Sequence, residues 1–271
     1  MIGAALCVLA NSAFARTWYV TADGSGDAPS VEAALDSTVS GDTVLAGEGV
    51  HEVRVAIFMR DGVTLLSEHG PYYTRLVPKP FSYPPVAIRC ADLVEETRIE
   101  GFWIEGFRFG VGGGGAIVVS DCRNLYIRNN VLIDNDDGGI AMYGNIIGLV
   151  YIEHNTIVAV RPYTYTIIDD GERGYVTNNI LWGPTYGLYL AWQVLCNCMT
   201  EWEDSDNMVL DPEFCGTIES GNLFLQSDSP CVAGNAPAPW TDCGHMGALP
   251  VGCATTPVTH TTWGALKSIY E

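Results

Sequence analysis

Positive charge is scarce in this chain: 13 Lys and Arg stand against 32 Asp and Glu, a net charge of −19. A phosphate backbone is bound by clustered basic side chains, and no such cluster occurs, so nucleic acid is excluded as a partner. The same negative field repels a polyuronate unless a divalent cation bridges the two sets of carboxylates. Also missing is any apolar run of the roughly 20 residues that a membrane-spanning helix needs. The five histidines form no metal or triad pattern. Long helical periodicity is lacking too. Thirty glycines and 14 prolines are spread among short Val, Ile, Leu and Tyr runs, which marks brief strands between frequent turns and argues against a helical bundle.

What the chain does have is apolar mass and cysteine. With 271 residues, 48% of them hydrophobic, it can bury a substantial core, and its length suits one long domain as easily as two. Met1 to Ala15 is apolar and uncharged and ends in Ala13-Phe14-Ala15, the small-x-small form of a secretory cleavage site. A signal peptide over 1–15 is therefore expected, although its usual positive n-region is missing, and the protein is expected to be secreted or at the cell surface. Removing Cys7 with it leaves eight of nine cysteines, an even count that suits disulfides in an exported chain. Cys196, Cys198, Cys215, Cys231, Cys243 and Cys253 crowd the last third; their pairing is not readable from spacing. A zinc site is disfavoured, because Cys196-x-Cys198 lacks the usual gap and no His sits at ligand spacing.

A short phrase returns at nearly constant intervals: Ile127-Arg-Asn-Asn-Val-Leu-Ile133, Ile152-Glu-His-Asn-Thr-Ile-Val158 and Val176-Thr-Asn-Asn-Ile-Leu-Trp182. Asn130, Asn155 and Asn179 are 25 and 24 residues apart. That period predicts one bend per turn of a solenoid, with equivalent residues stacked about 4.8 Å apart as ladders. Asn tolerates the left-handed conformation of a sharp bend, and its amide can donate and accept between coils. These three are read as scaffold, and His154, at the place of Asn129 and Asn178, as a bend residue. Phe102 holds the earlier equivalent position, so the ladder starts midway.

Two strand types are expected from about Val63 to Trp192. Ile99 to Ile104, Leu125 to Ile133, Val150 to Val158 and Tyr175 to Trp182 form one series. Ala116 to Val119, Gly139 to Tyr143, Tyr165 to Ile168 and Gly187 to Leu190 form the other. Before them, a strand at Thr17 to Val20 and a short helix at Ser30 to Asp36, N-capped by Ser30, would cover the open end. The all-β solenoid domain is expected over 16–253, closing in an irregular disulfide-rich segment, with a linker and C-terminal tail over 254–271. Gly110 to Gly115 reads as a flexible turn.

These stretches resemble the secreted right-handed parallel β-helix proteins of the pectate-lyase-like superfamily. Tyr19 to Asp27 continuing to Leu45 is similar to their opening strand and capping helix, and the Asn-bearing repeats to their coils. Leu210-Asp-Pro-Glu-Phe-Cys215, Ser229-Pro-Cys231 and Met246-Gly-Ala-Leu-Pro250 are similar to the closing segment of many bacterial members. The resemblance implies a right-handed parallel β-helix, and a polysaccharide or cell-surface glycan as partner. It does not choose an activity, since the superfamily holds lyases, esterases, hydrolases, epimerases, tailspikes and adhesins. The Gln-Asp, Asp-Phe-Ile-Phe-Gly and Gly-Arg-Pro-Trp motifs of pectin esterases are absent, and the polygalacturonase motifs are matched only in part, with no Arg-x-Lys.

Two acidic clusters could carry chemistry: Asp134, Asp136 and Asp137, then Asp169, Asp170 and Glu172. Asp136, Asp137, Asp169 and Asp170 are candidate catalytic acids and bases for glycoside hydrolysis. Alternatively Asp134, Asp136 and Asp137 would hold Ca²⁺ while Arg161 or Arg173 removes a proton beside a uronate carboxylate. Ordinary Asp-Asp-Gly turn chemistry explains the same residues. Tyr143, Tyr189 and Trp192 are candidate sugar-stacking aromatics, and core filling is the alternative. Two functions thus stand side by side: a polysaccharide lyase or glycoside hydrolase, and a noncatalytic surface, adhesion or structural protein, in either case a monomer.

Overall fold

The computed structural model describes residues 15–82, 84–107, 115–136, 138–144, 148–159, 161, 164–169, 174–186, 188, 193–201 and 205–253. The expected signal segment, up to residue 14, and the tail over 254–271 lie outside them, as do Asp137, Asp170, Glu172, Arg173, Tyr189 and Trp192.

Among the described residues every strand-to-strand ladder in the three sheets is parallel, and from Thr43–Ala46 to Tyr165–Asp169 the chain visits the sheets in the repeating order A, B, C. Sheet A has eight strands, from Thr17–Val20 to Gln193–Leu195. Sheet B has seven, from Gly49–Val53 to Cys198–Met199, and sheet C five, from Ile57–Phe58 to Tyr165–Asp169. The result is a parallel β-solenoid of about six turns with very little helix. Three sheets replace the two strand series expected from the sequence. Each stretch of the first series is cut at a two-residue corner, so that Leu125–Arg128 belongs to sheet A and Val131–Ile133 to sheet B, while the second series becomes sheet C.

The core is three aliphatic ladders, one from each sheet. Val44, Leu65, Ile99, Ile127, Ile152, Val176 and Val194 follow one another in register on sheet A. Leu76, Ile104, Leu132, Ile157, Leu181 and Met199 do so on sheet B, and Ile57, Ile88, Ile117, Ile140 and Ile167 on sheet C. All are buried, and each such side chain contributes about 1.5–3 kcal/mol on leaving water.

The A-to-B corner is two residues long from the third coil onward, and the division of labour inside it differs from the sequence expectation. The left-handed residue is the first one: Gly101, Asn129, His154, Asn178 and Cys196, with φ of 86°, 54°, 54°, 56° and 55°. The ladder Asn follows it and works through its amide. Oδ1 of Asn155, Asn179, Asn197 and Asn207 accepts the backbone N–H of Asn130, Asn155, Asn179 and Asn197 in turn, at 2.8–3.0 Å. Their Nδ2 groups donate back to carbonyls of the preceding coil, as Asn179 does to Ile152 at 2.8 Å. At the start of the ladder, Phe102 N–H donates to Asn130 Oδ1 at 3.0 Å. The ladder runs on to Asn197 and Asn207, two rungs that the sequence period hides, because the last coils shorten to 18 and 10 residues.

Both ends of the stack are closed. The helix Val31–Leu35, capped by Ser30 Oγ on Ala33 N–H, buries Val31, Ala34 and Leu35 on the first coil. The free edge of the first strand is blocked as well: Asp27 N–H donates to the Tyr19 carbonyl at 2.7 Å, and Tyr19 N–H donates to Asp27 Oδ2 at 2.8 Å. At the far end, residues 207–251 do more than finish the last coil; they fold back over the outer face of sheet B. Leu223, Ala248 and Leu249 pack on Trp103, Val131, Ile133 and Val158. Disulfides Cys196–Cys243 and Cys215–Cys253 tie this segment down.

Candidate functional site

The B-to-C corner gathers part of the expected acidic site. Asp134 leaves the strand Val131–Ile133 at φ 56°, and Asn135 behind it is buried, accepting from Phe107 N–H at 3.1 Å and donating to the Ile104 carbonyl at 3.0 Å. That pins the corner, and Asp136 N–H donates to the Phe107 carbonyl at 2.8 Å. From the next coil, Arg161 reaches back. Its Nε and Nη2 lie 2.8 and 2.6 Å from Asp134 Oδ1, and its Nη1 lies 3.6 Å from Asp136 Oδ1. All three side chains are about one-third exposed.

Asp169 is elsewhere. Gly138 pairs with Tyr165 and Met142 with Asp169, so Asp169 lies at the opposite end of the sheet C strands from the Arg161 corner, roughly 13 Å along the strand direction. Its register continues the inward ladder Cys90, Val119, Met142, and it is 2% exposed. The carboxyl groups of a glycosidase pair stand about 5 to 9.5 Å apart across an open groove. Asp136 and Asp169 are therefore not brought together as such a pair. Arg161 lies between Asp134 and Asp136, where the sequence expectation set a cation; among the described residues no group of three acidic, His or Cys side chains could hold a metal ion. Tyr143 is half-buried on the outer face of sheet C, against Val86, Val118, Ala141 and Ile168.

A different set of residues is displayed on the outer face of sheet A. Tyr126, Tyr151 and Tyr175 are paired in register on adjacent strands, with ring centroids 4.5 and 5.1 Å apart and planes 4° and 8° from parallel. The rings stack along the solenoid axis, so each covers its neighbour's face, and the Tyr126 and Tyr151 hydroxyls are in hydrogen-bonding reach of each other. Arg98 and Arg128 close the first ring's surroundings, 5.1 and 4.5 Å from the Tyr126 centroid. Beside this row runs a second one, Glu100, Arg128, Glu153 and Thr177, in which Arg128 Nη2 meets Glu153 Oε2 at 2.6 Å. Burial, followed by the neighbouring phenols Tyr126 and Tyr175, raises the pKa of Tyr151 above the ordinary phenol value. No hydrophobic cluster among the described residues covers this face.

This row escaped the sequence reading, although its signal was present. Tyr126, Tyr151 and Tyr175 repeat at the same 25 and 24 residues as the Asn phrase, four positions earlier. Alternation along a strand then puts each Tyr opposite to Ile127, Ile152 and Val176, which fill the core.

Comparison with protein-family models, with curated proteins and with solved structures returned no match.

Proposed function

We propose that this protein is an exported, noncatalytic β-helix that binds a neutral polysaccharide along the outer face of sheet A, a reading in keeping with its resemblance to the pectate-lyase-like superfamily. The tyrosine row carries the proposal. Its hydroxyls repeat at the rung spacing of the solenoid, about 4.8 Å, close to the length of one pyranose unit in an extended chain. Each rung would then offer one phenol, able both to donate and to accept, to one sugar.

Charge selects a neutral ligand over an anionic one. Arg98 is held by Glu96 at 2.6 Å and Arg128 by Glu153 at 2.6 Å, so the cations of this face already have carboxylate partners, and a net charge of −19 repels polyuronates. Catalysis finds less support. Arginine keeps its proton in proteins, and Arg161 is engaged by two carboxylates, which suits a structural tie across coils better than a base.

The test is affinity electrophoresis against neutral and anionic polysaccharides, with wild type and a Tyr126→Ala, Tyr151→Ala, Tyr175→Ala triple variant checked for folding by circular dichroism. Retarded migration in a neutral glycan, lost in the triple variant, is the expected result. Equal retardation of both proteins, or retardation only by polyuronates, overturns the proposal. New reducing ends or unsaturated-uronate absorbance, with or without Ca²⁺, would replace it with the lyase or hydrolase reading.

A further inference from the structure

We infer that Cys198 and Cys231 are joined by a third disulfide that fastens the closing segment to the last strand of sheet B. Both are without a disulfide partner in the structure, both are fully buried, and both lie in one apolar cluster with Ile180, Met208, Leu225 and Met246. The two thiols are in hydrogen-bonding reach of each other. Their backbones are fixed independently of that contact. Cys198 N–H donates to the Asn179 carbonyl at 2.8 Å, as the Asn ladder requires. Cys231 N–H donates to Ser229 Oγ at 3.1 Å, and its carbonyl accepts from Met246 N–H at 2.9 Å. Two thiols brought into reach in this way from separately anchored segments have only the last of the sulfur–sulfur distance to close.

The bond gives up little. Cys198 Sγ lies 3.2 Å from the Leu210 carbonyl, and Leu210 is 40% exposed, so water can take over that acceptor. The other two cysteines without a disulfide, Cys90 and Cys122, are also neighbours, but their sulfurs are engaged differently. Cys90 continues the inward ladder of sheet C, and the Cys122 thiol donates to the Ser120 carbonyl at 3.2 Å.

Formation requires an oxidant, and a small-molecule disulfide such as oxidised glutathione supplies it by exchange. One cysteine thiolate attacks the oxidant's S–S bond, forming a mixed disulfide and releasing one thiolate; the second cysteine thiolate then attacks the protein sulfur, closing the bond and releasing the other. The two protein S–H groups lose two protons and two electrons, and the oxidant becomes two thiols. Both sulfurs are buried once the segment has docked, so the exchange belongs to folding.

The experiment is a peptide map of the full chain, unfolded and reduced, then refolded with oxidised and reduced glutathione and alkylated in denaturant. Cleavage after Asp and Glu releases Ser229–Asp242, which carries Cys231 alone, while Cys196 and Cys198 share one fragment ending at Glu201. The expected result is that Ser229–Asp242 comes free only on reduction, and that in Cys198→Ser it comes free, alkylated, without reduction. Recovery of alkylated Ser229–Asp242 from unreduced wild type overturns the inference, as does its retention in a cross-linked fragment of Cys198→Ser. If the variant fails to fold, fragmentation of the cross-linked wild-type peptide between Cys196 and Cys198 in the mass spectrometer assigns the bond, and a bond from Cys231 to Cys196 overturns the inference.

Discussion

Asn155 Oδ1 accepts two hydrogen bonds from Asn130, one from the backbone N–H at 3.0 Å and one from Nδ2 at 3.1 Å, while its own Nδ2 donates to the Ile127 carbonyl at 2.8 Å. All of these groups are shut away from water at a corner where neither residue can turn outward. Replacing Asn155 by Ala takes the acceptor from two Asn130 groups, the backbone N–H and Nδ2, and the donor from the Ile127 carbonyl. At about 1–3 kcal/mol for each orphaned group, Asn155→Ala should cost at least about 3 kcal/mol. The same change at the exposed Asn235, outside the ladder, should cost less than about 1 kcal/mol. Urea unfolding midpoints compare the two.

How much of this was legible beforehand follows from the physics of the repeat. Parallel stacking forces equivalent residues to recur, so the coil length and the Asn rung could be read off Asn130, Asn155 and Asn179. The identity of the left-handed residue could not, because Asn129 and Asn178 are asparagines too, and only φ separates the residue that bends from the one that bonds. Nor could the fold-back over sheet B be read. Residues such as Val131 and Ile133 face outward, and nothing periodic in 207–251 states which surface its Leu223 and Leu249 will cover. Of the acidic candidates, Asp136 and Arg161 meet because both belong to one corner of successive coils, whereas Asp169 stands two strand positions after the inward Ile167 and so faces the core as well.

Acid should loosen the clasp between the closing segment and the A-to-B corner. His154 Nδ1 lies 3.1 Å from the His245 carbonyl, and His245 Nε2 lies 3.0 Å from the Leu249 carbonyl. Burial first, then the nearby His245 and Arg128, pushes His154 down to about 4 from an ordinary 6.5, and burial lowers His245 as well. A lowered histidine pKa means that the unfolded chain binds the proton more readily. Stability from this source is therefore complete above pH 6.5 and is lost as pH falls through 6.5 toward 4, by roughly 3 kcal/mol. Asn accepts this left-handed position at 129 and 178, so His154→Asn should fold and lose less stability than wild type between pH 7 and pH 4.5. Denaturant midpoints at the two pH values measure the difference; equal losses would count against the clasp.

Arg161 gives a test of the acidic corner that is independent of glycan binding. Its ion pairs with Asp134 and Asp136 are one-third exposed and solvent-screened, so Arg161→Ala should cost only about 0.5–1 kcal/mol. What remains is two adjacent carboxylates without their cation. Added Ca²⁺ should then raise the Tm of the variant more than that of wild type, where the guanidinium already fills the space between them. Thermal unfolding with and without Ca²⁺ checks this, and binding at the tyrosine row should be unchanged in the same protein.

Gly247 is the point at which the closing segment can be lifted without touching a cysteine or a histidine. Its φ is +87°, and a Cβ there would stand 2.6 Å from Ile180 Cδ1 and 2.8 Å from Thr156 Oγ1, both on the outer face of sheet B. Its N–H also donates to the Asn178 carbonyl at 2.8 Å, and the next residue's N–H to Thr156 Oγ1 at 3.0 Å, so the backbone cannot retreat without losing both bonds. Gly247→Ala should therefore cost about 2–4 kcal/mol through strain and overlap together. Because Cys196–Cys243 and Cys215–Cys253 hold the segment at its two ends, the variant should remain joined but undocked at its centre, exposing Val131 and Ile133. Increased fluorescence of a hydrophobic dye at unchanged far-ultraviolet circular dichroism is the expected signature. Loss of both signals together would mean that the solenoid depends on the closing segment for its folding rather than merely for its cover.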